Sequence, residues 1–323
     1  MAEVVVVGSY NQDFVWRTQR FPVPGETRLG SFSSGPGGKG FNQAVAAARQ
    51  RVPTALIAAL GNDPIAANAI TLAKQDGIDA RWERFDEYPS GSAAIVLDAS
   101  GQNWIIVGSG ANLALSAAHI EAQASLIGTA RVLLTQHEVA PEATRRAIDV
   151  ARRAGTVTLH NPAPALPDDD ASLLDRVDIL TPNETEFVHL LGRRADVEID
   201  TRRLATLEND ALHALCRRLG VPTVILTLGA RGAFVSHLSD EMHGDNASHY
   251  RVSAETVVPV DTTGAGDAFS GALAAALCFH GDDVPLHDSV RHANRVAGLS
   301  TEAHGAAPSM PTRDALLARF GPR

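Results

Sequence analysis

A doubly wound α/β fold, with a mostly parallel sheet, helices on both faces and a small β-sheet lid, is predicted by three observations. Short β-branched runs alternate with longer Ala/Leu-rich helical patterns along most of the chain. Alternation of this kind specifies parallel strands joined by covering helices. Two segments, 13–34 and 92–107, break the rhythm and supply the lid. Because they flank the first strand–helix–strand region, the lid elaborates one domain spanning residues 1–323.

Taken in order, the first buried strand is expected at Val4–Val7, four valines closed by Gly8. The Ala-rich stretch 42–50 reads as the first helix, followed by a strand at 55–60 and a helix at 65–76. In the second lid segment the turn Asp98-Ala99-Ser100-Gly101 divides two strand-like runs, 93–97 and 103–107. Beyond it the pattern gives a helix at 117–127, a strand at 132–135, a helix at 141–154 and strands at 157–159 and 177–180. A helix at 184–191, a helix at 211–219 and a strand at 224–228 come next, and helices at 268–280 and 290–301 close the pattern. Segments 193–209 and 236–251 are polar and turn-rich and are expected as exposed loops.

With 323 residues the chain can bury a core without staples. Thirty-seven acidic against twenty-eight basic residues give a net charge of −9, with no basic run to follow a nucleic-acid backbone. Cys216 and Cys278 offer neither a CxxC pair nor a disulfide framework, the pattern of thiols in a reducing compartment. The N-terminal apolar run is too short for a secretion signal, and no stretch approaches the roughly 20 apolar residues needed to cross a bilayer. A cytoplasmic protein with no nucleic-acid or membrane partner is expected.

The most informative stretch is Val260-Asp261-Thr262-Thr263-Gly264-Ala265-Gly266-Asp267, which runs into an apolar helix. Gly264, Ala265 and Gly266 leave successive N–H groups uncovered at a helix start, where a concave nest can hold an anion. Asp267 at its mouth can take a proton from an attacking hydroxyl while the N–H groups balance charge on a transferred phosphoryl group. Alone, the stretch also reads as a turn with Asp capping a helix; the remaining motifs decide for phosphoryl transfer.

Gly35-Pro36-Gly37-Gly38-Lys39-Gly40-Phe41-Asn42 is a second glycine-rich loop. Walker spacing fails, because that motif would need Gly at position 33 and Ser or Thr at 40, where Ser33 and Gly40 stand. The loop suits a neutral polyol: glycines admit backbone close to a ligand, and Lys39 and Asn42 donate to hydroxyl oxygens. Asn11 and Asp13, two apart on an extended segment after the first strand, share a face as a grip on adjacent hydroxyls requires. Gly8-Ser9-Tyr10 lacks the Gly-x-Gly-x-x-Gly spacing of a dinucleotide-binding dehydrogenase. Two further strand exits look nucleotide-directed. Asn183 and Glu186 lie three apart at a helix start, able to face a phosphate-bound Mg²⁺ or simply to cap the helix. Thr227, Gly229 and Gly232 could contact phosphate and ribose or form a turn.

Together these motifs resemble the ribokinase family of PfkB-type sugar kinases over nearly the whole chain. Gly37-Gly38-Lys39-Gly40-Phe41-Asn42-Gln43-Ala44 is similar to its sugar-binding signature, and Asp261 to Phe269 to its C-terminal signature. Asn161-Pro162-Ala163-Pro164-Ala165, Thr181 to Glu186 and Thr227 to Gly232 match between them in type and spacing. The resemblance implies a ribokinase-like fold in which Asn11, Asp13, Gly38, Lys39, Asn42 and Glu138 grip the sugar and Asp267 is the base. For ATP it implies Asn183, Thr227, Gly229, Gly232 and Asn294, with Glu186 organising Mg²⁺ through water and Gly264, Ala265 and Gly266 as the anion hole. A monovalent cation, K⁺ by its oxygen ligands, is implied at Asp261, Thr263, Ser300, Ala303, Gly305 and Ser309.

Lys39 in its Gly-Gly-Lys-Gly setting, with the Asn11/Asp13 pair, is nearer the ribose-phosphorylating members than those acting on fructose or adenosine. The resemblance thus implies γ-phosphoryl transfer from ATP to O5 of D-ribose. Alternative acceptors are a nucleoside, 2-keto-3-deoxygluconate or fructose, and a non-catalytic sugar or nucleotide sensor is the reading from another class. Phe41, where such kinases often carry a small residue, either packs inward or crowds the pocket. Trp104 and the lid strands could close over the sugar. A homodimer through the lid sheets would remove exposed strand edges.

Overall fold

Val4–Val7 (β1) buries all four side chains, Val4 and Val6 in the apolar cluster on one face of the sheet and Val5 and Val7 in the cluster on the other. A strand covered on both faces has no reason to alternate, which is why its sequence is unbroken apolar. The computed structural model describes residues 1–167, 170–204, 206–240, 242–281 and 284–321. Ala205 and Glu241, within the two segments expected as loops, lie outside the described residues.

After β1 come β2 (Asn11–Arg17), β3 (Ser31–Gly37), α1 (Lys39–Arg49), β4 (Thr54–Gly61), α2 (Pro64–Gln75) and β5 (Asp79–Phe85). Then follow β6 (Gly91–Leu97), β7 (Asn103–Gly108), α3 (Ala117–Ala122), α4 (Ala124–Gly128), β8 (Val132–Thr135), α5 (Pro141–Ala154), β9 (Val157–His160) and β10 (Ile179–Leu180). The remainder is α6 (Glu184–Ala195), α7 (Thr201–Leu204), α8 (Asn209–Arg217), β11 (Thr223–Thr227), β12 (Ala233–His237), β13 (His249–Val252), α9 (Ala265–His280), α10 (Leu286–Ser300) and α11 (Arg313–Phe320). Nine strands form one sheet in the order β13-β12-β11-β10-β9-β8-β1-β4-β5, parallel except at β12, which is antiparallel to both neighbours. The chain leaves β1 toward β4 and β5, then returns to β8 on the other side. Ligands of open α/β sheets bind at such a reversal, beyond the strand carboxyl ends.

Several elements differ from the sequence expectation. Helix 117–127 breaks into α3 and α4 at Gln123, whose φ of −101° and ψ of 12° leave the helical region. Strand 177–180 shrinks to two residues, because the Asp178 carboxylate takes the Thr158 N–H and hydroxyl. The expected loops are partly ordered elements: α6 runs on to Ala195, α7 follows, and β12 and β13 occupy the ends of 236–251. Strand β5 has no apolar run because it is an edge strand with exposed side chains.

Both rhythm-breaking segments join one four-stranded sheet, ordered β3-β2-β6-β7. Register assigns its faces. Trp16 pairs with Phe32 and Val96, and Val96 with Trp104, so these side chains lie on one face and Asn11 and Asp13 on the other. Trp104 therefore cannot close over a sugar held by Asp13. It stacks on Phe21 instead, with ring centroids 4.3 Å apart and planes 3° off parallel. Phe41 packs inward, edge-on to the buried Tyr10 ring at 5.1 Å, so it does not crowd the pocket.

Helices α1 and α9 cross on one face of the large sheet at Gly271. A Cβ there would lie 2.3 Å from the Gln43 carbonyl oxygen and 2.7 Å from Ala46 Cβ. Only glycine permits this approach, and the approach brings the start of α9 against α1.

Candidate active site

Chain leaving β1 passes Gly8 and Ser9 beneath the start of α1, where a Cβ on Gly40 would sit 2.4 Å from the Ser9 nitrogen. This contact puts α1 directly over the strand exit. Glu138, just past β8, ties the junction: its Oε2 accepts from Ser9 Oγ at 2.5 Å and from the Lys39 N–H at 2.9 Å. A carboxylate at a helix N-terminus is favourably placed for both charge and hydrogen bonding. Gly38 has φ of 87°, and a Cβ there would strike the Asn11 nitrogen at 2.6 Å, so the position requires glycine. Asn11 is held in turn by Asn112, whose Nδ2 donates to Asn11 Oδ1 at 2.9 Å and to the Tyr10 carbonyl at 3.0 Å.

Asp267, in the first turn of α9, meets two amides from α1. Asn42 Nδ2 donates to its Oδ2 at 2.8 Å and Gln43 Nε2 to its Oδ1 at 2.9 Å. All three residues are buried. Asn42 Oδ1 is buried and finds no hydrogen-bond partner among the described residues, leaving an acceptor for a substrate hydroxyl. Helix α9 begins at Gly264, φ 78°, without a side-chain cap. The Gly266 N–H remains directed out of the helix start beside the carboxylate, whereas the Ala265 N–H, expected to be uncovered, donates to the Thr262 carbonyl at 3.2 Å, because the chain turns tightly at Gly264.

Charge is concentrated here. Burial pushes the Asp267 carboxyl up, against the opposing pull of Lys39, Asn42 and Gln43. Asp13 is pushed up to about 6, first by burial, then by the charges of Glu138 and Asp267. For Lys39 burial works downward, yet Asp267, Glu138 and Glu186 outweigh it and leave the ammonium raised. One cation thus sits among carboxylates that would otherwise repel one another.

On the far side, Asn183 and Glu186 form a reciprocal capping box at the start of α6: Asn183 Oδ1 accepts the Glu186 N–H, and the Glu186 carboxylate accepts the Asn183 N–H and Nδ2. Burial raises the Glu186 carboxyl. Thr227 joins Asn183 through a parallel bridge, and its hydroxyl donates to the Pro182 carbonyl at 3.3 Å. Gly229 and Gly232 adopt φ of 55° and 84°, and a Cβ at Gly232 would fall 2.0 Å from the Val252 carbonyl. Asn294 lies on α10 with its Nδ2 donating to the Val252 and Ser253 carbonyls at 3.0 and 3.3 Å, so it fixes the chain leaving β13.

Asp261 draws together the segments expected to hold a cation. Its Oδ1 accepts from the Thr263 N–H at 2.9 Å and its Oδ2 from the Gly305 N–H at 3.0 Å, while its own N–H donates to the Thr301 carbonyl. Hydroxyls of Ser300 and Ser309 turn back on the Ala297 and Ala306 carbonyls, and the Ala303 N–H donates to the Ser300 carbonyl. Hard carbonyl and carboxylate oxygens suit K⁺ better than any softer metal.

Five contributors carry no role in the sequence reading: Ser9, Gln43 and Asn112, together with Gln136 and Asn161, which both hydrogen-bond the Gln43 amide. Gln43 follows Asn42 directly and could have been found as the next polar residue in an otherwise Ala-rich helix. Ser9 and Asn112 act through distant partners and leave no local signal.

A mostly parallel sheet whose switch point sets polar side chains and a buried carboxylate against an uncapped helix start suits a small-molecule phosphotransferase. The chain belongs to the pfkB family of carbohydrate kinases, whose model matches residues 1–313. Mouse (Mus musculus) ribokinase is 36% identical over 322 residues, covering 99% of this chain and 95% of that protein. Among solved structures, ribokinase from Giardia lamblia superposes with a TM-score of 0.87 at 27% identity, covering 99% of each chain. Arabidopsis thaliana ribokinase complexed with ribose and ATP gives 0.82 at 30% identity, covering 98% of each.

Proposed function

We propose that the protein transfers the γ-phosphoryl group of ATP to O5 of D-ribose, giving ribose 5-phosphate, with Asp267 as the base. The observation that carries this reading is the buried Asp267 carboxylate, gripped on both oxygens by Asn42 and Gln43 beside the open start of α9. Each carboxylate oxygen keeps a second lone pair, so the acid can accept the hydroxyl proton without leaving its donors. Asn11, Asp13, Gly38, Lys39, Asn42 and Glu138 orient the sugar. Gly264, Ala265 and Gly266 receive charge developing on the transferred group. Lys39 lowers the cost of gathering carboxylates around a neutral sugar.

Asn183, Thr227, Gly229, Gly232 and Asn294 border the ATP site. Glu186, with both oxygens already engaged by Asn183, fits an outer-sphere partner for water on Mg²⁺, the ion that supplies charge neutralisation to the phosphates when bound. K⁺ at Asp261, Thr263, Ser300, Ala303, Gly305 and Ser309 would brace the loop feeding the anion hole. The four-stranded sheet, a lid over the sugar within a single domain, turns an apolar outer face to solvent, with Trp16, Phe32, Trp104 and Ile106 exposed. That face pairs two protomers.

The test is ADP release from ATP·Mg²⁺ with ribose, deoxyribose, fructose, nucleosides and 2-keto-3-deoxygluconate, each in K⁺ and in Na⁺. Ribose-dependent release, faster in K⁺, is expected; selective turnover of another acceptor would overturn the substrate, and silence with intact ATP binding would overturn catalysis. Asp267→Asn should cut turnover by about 10³-fold or more with sugar binding largely kept. Near-normal turnover would remove Asp267 as base.

A further inference from the structure

We propose that Gln43 is the positioning residue of the Asp267 carboxylate, and that Gln136 and Asn161 fix the direction in which its amide points. The proposal rests on the reading of Asp267 as base. Gln43 is fully buried on α1, one residue beyond Asn42. Its Nε2 donates to Asp267 Oδ1 at 2.9 Å and to Asn161 Oδ1 at 3.1 Å, and its Oε1 accepts from Gln136 Nε2 at 2.6 Å. Asn161 Nδ2 continues to the Thr181 carbonyl at 2.8 Å. Residues at the exits of β8, β9 and β10 are thereby wired through one side chain to the start of α9.

The polarity of this chain is not arbitrary. An ionised carboxylate only accepts, and an amide has one donating and one accepting end. Gln43 must turn Nε2 to Asp267, which leaves Oε1 for Gln136, and Gln136 must then present its own Nε2. Asn161 must present Oδ1 to Gln43, since its Nδ2 is committed to a carbonyl. Flipping Gln43 would set its oxygen against Asp267 Oδ1 and Asn161 Oδ1 together, two buried acceptor–acceptor contacts. Gln136 Oε1 is itself buried without a partner among the described residues, against Gly8, where a Cβ would come within 2.1 Å of it. The orphan acceptor falls at the outer end of the chain, while both Asp267 oxygens and both ends of the Gln43 amide are satisfied.

Gln43 matters because of what else faces Asp267. The charged groups there are Lys39 from α1, Glu138 after β8, Asp13 of β2 and Glu186 of α6. Three of the four are acids, and burial already disfavours ionisation. Gln43 favours the ionised carboxylate without adding charge, and with Asn42 it fixes the plane of the carboxyl group. Losing it should rotate the carboxylate and make it harder to ionise.

The experiment measures kcat and sugar KM from pH 5 to 9 for Gln43→Leu, Gln43→Glu and Gln136→Leu, with thermal melts and with Asp267→Asn in parallel. Gln43→Leu should lower kcat about tenfold or more, leave sugar KM within about threefold, and move the acid limb of kcat up by about one pH unit. Gln43→Glu sets a second carboxyl against Oδ1 and should move that limb further; Gln136→Leu should move it the same way by less. A loss of kcat with an unmoved acid limb, in variants that melt like the unaltered protein, would mean a merely structural residue and overturn the proposal, as would an effect on sugar KM alone. Should Gln43→Leu fail to fold, the near-isosteric Gln43→Glu and the remote Gln136→Leu carry the same test. Inactive Asp267→Asn with unperturbed Gln43 variants sinks the positioning role alone, whereas active Asp267→Asn removes the base and this proposal with it.

Discussion

If Asp13 grips the sugar as proposed, sugar binding is pH-dependent in a way that can be worked out beforehand. Its carboxyl is pushed from 3.8 up to about 6 by burial and by Glu138 and Asp267. As the hydroxyl-accepting member of the Asn11/Asp13 pair, it must be ionised to bind. With a pKa near 6, about a tenth of the free protein is competent at pH 5 and nearly all of it at pH 8. The ribose dissociation constant should therefore rise about tenfold between pH 8 and pH 5, with most of the change below pH 6.5. The assay is equilibrium binding of ribose without nucleotide, which separates this effect from ionisation of Asp267 during turnover. Asp13→Asn should bind weakly at every pH with the dependence gone. Stability moves the other way. A carboxyl raised in the folded state favours folding fully below pH 3.8, and that contribution is lost as pH rises through about 6. Above it the buried charge costs at most about 3 kcal/mol, so Asp13→Asn should raise Tm more at pH 8 than at pH 5. A flat binding profile in the unaltered protein, or a persistent pH dependence in Asp13→Asn, would refute the assignment.

Two other perturbations test the geometry. Gly271→Ala places a methyl 2.3 Å from the Gln43 carbonyl, a backbone atom that cannot step aside, so stability should fall by about 1–3 kcal/mol and turnover by about 10²-fold as α9 is pushed off α1; a melt and a rate like those of the unaltered protein would show that the crossing is not tight. If two protomers pair through the outer face of the four-stranded sheet as proposed, Ile106→Glu, at a position 76% exposed in one protomer, should turn a sedimenting dimer into a folded monomer; an unchanged sedimentation coefficient would refute pairing through this face.

Much of the large sheet is legible because its physics is local. Val4–Val7 and Val132–Thr135 are buried on both faces, so each is an almost unbroken apolar run, and the helices between the central strands carry their own periodicity. Legibility fails at the margins. Strand β5 reads Asp-Ala-Arg-Trp-Glu-Arg-Phe because an edge strand needs little apolar cover, and β13 is four residues with only Val252 buried. Helix α11 carries good helix formers after a Thr312 cap but no core-facing apolar stripe, since only Leu316 in it is buried. Facing in the small sheet depends on register, which strand composition does not carry: Trp104 is attractive as a sugar-covering aromatic until its pairing with Val96 sets it opposite Asp13.

Site residues divide along a similar line. Gly264 to Asp267 and Gly37 to Asn42 are visible because an anion nest and a close backbone approach each demand small residues in sequence. Gly271 meets the same demand across space, between two helices, and so looks like any helical glycine. Glu138 stands 99 residues from Lys39 and 129 from Ser9, and its clamp on both exists only after the sheet closes. Gln43 lies between these cases: it adjoins Asn42 in the chain, but its partners are 93, 118 and 224 residues away. Residues that touch a ligand repeat a chemistry written along the backbone, whereas those that aim them depend on strand exits meeting at a switch point. On the reading proposed for this kinase the second group decides whether Asp267 is pointed and ionised, which is why the pH profile of Gln43 variants is more informative than the loss of activity on removing Asp267 itself.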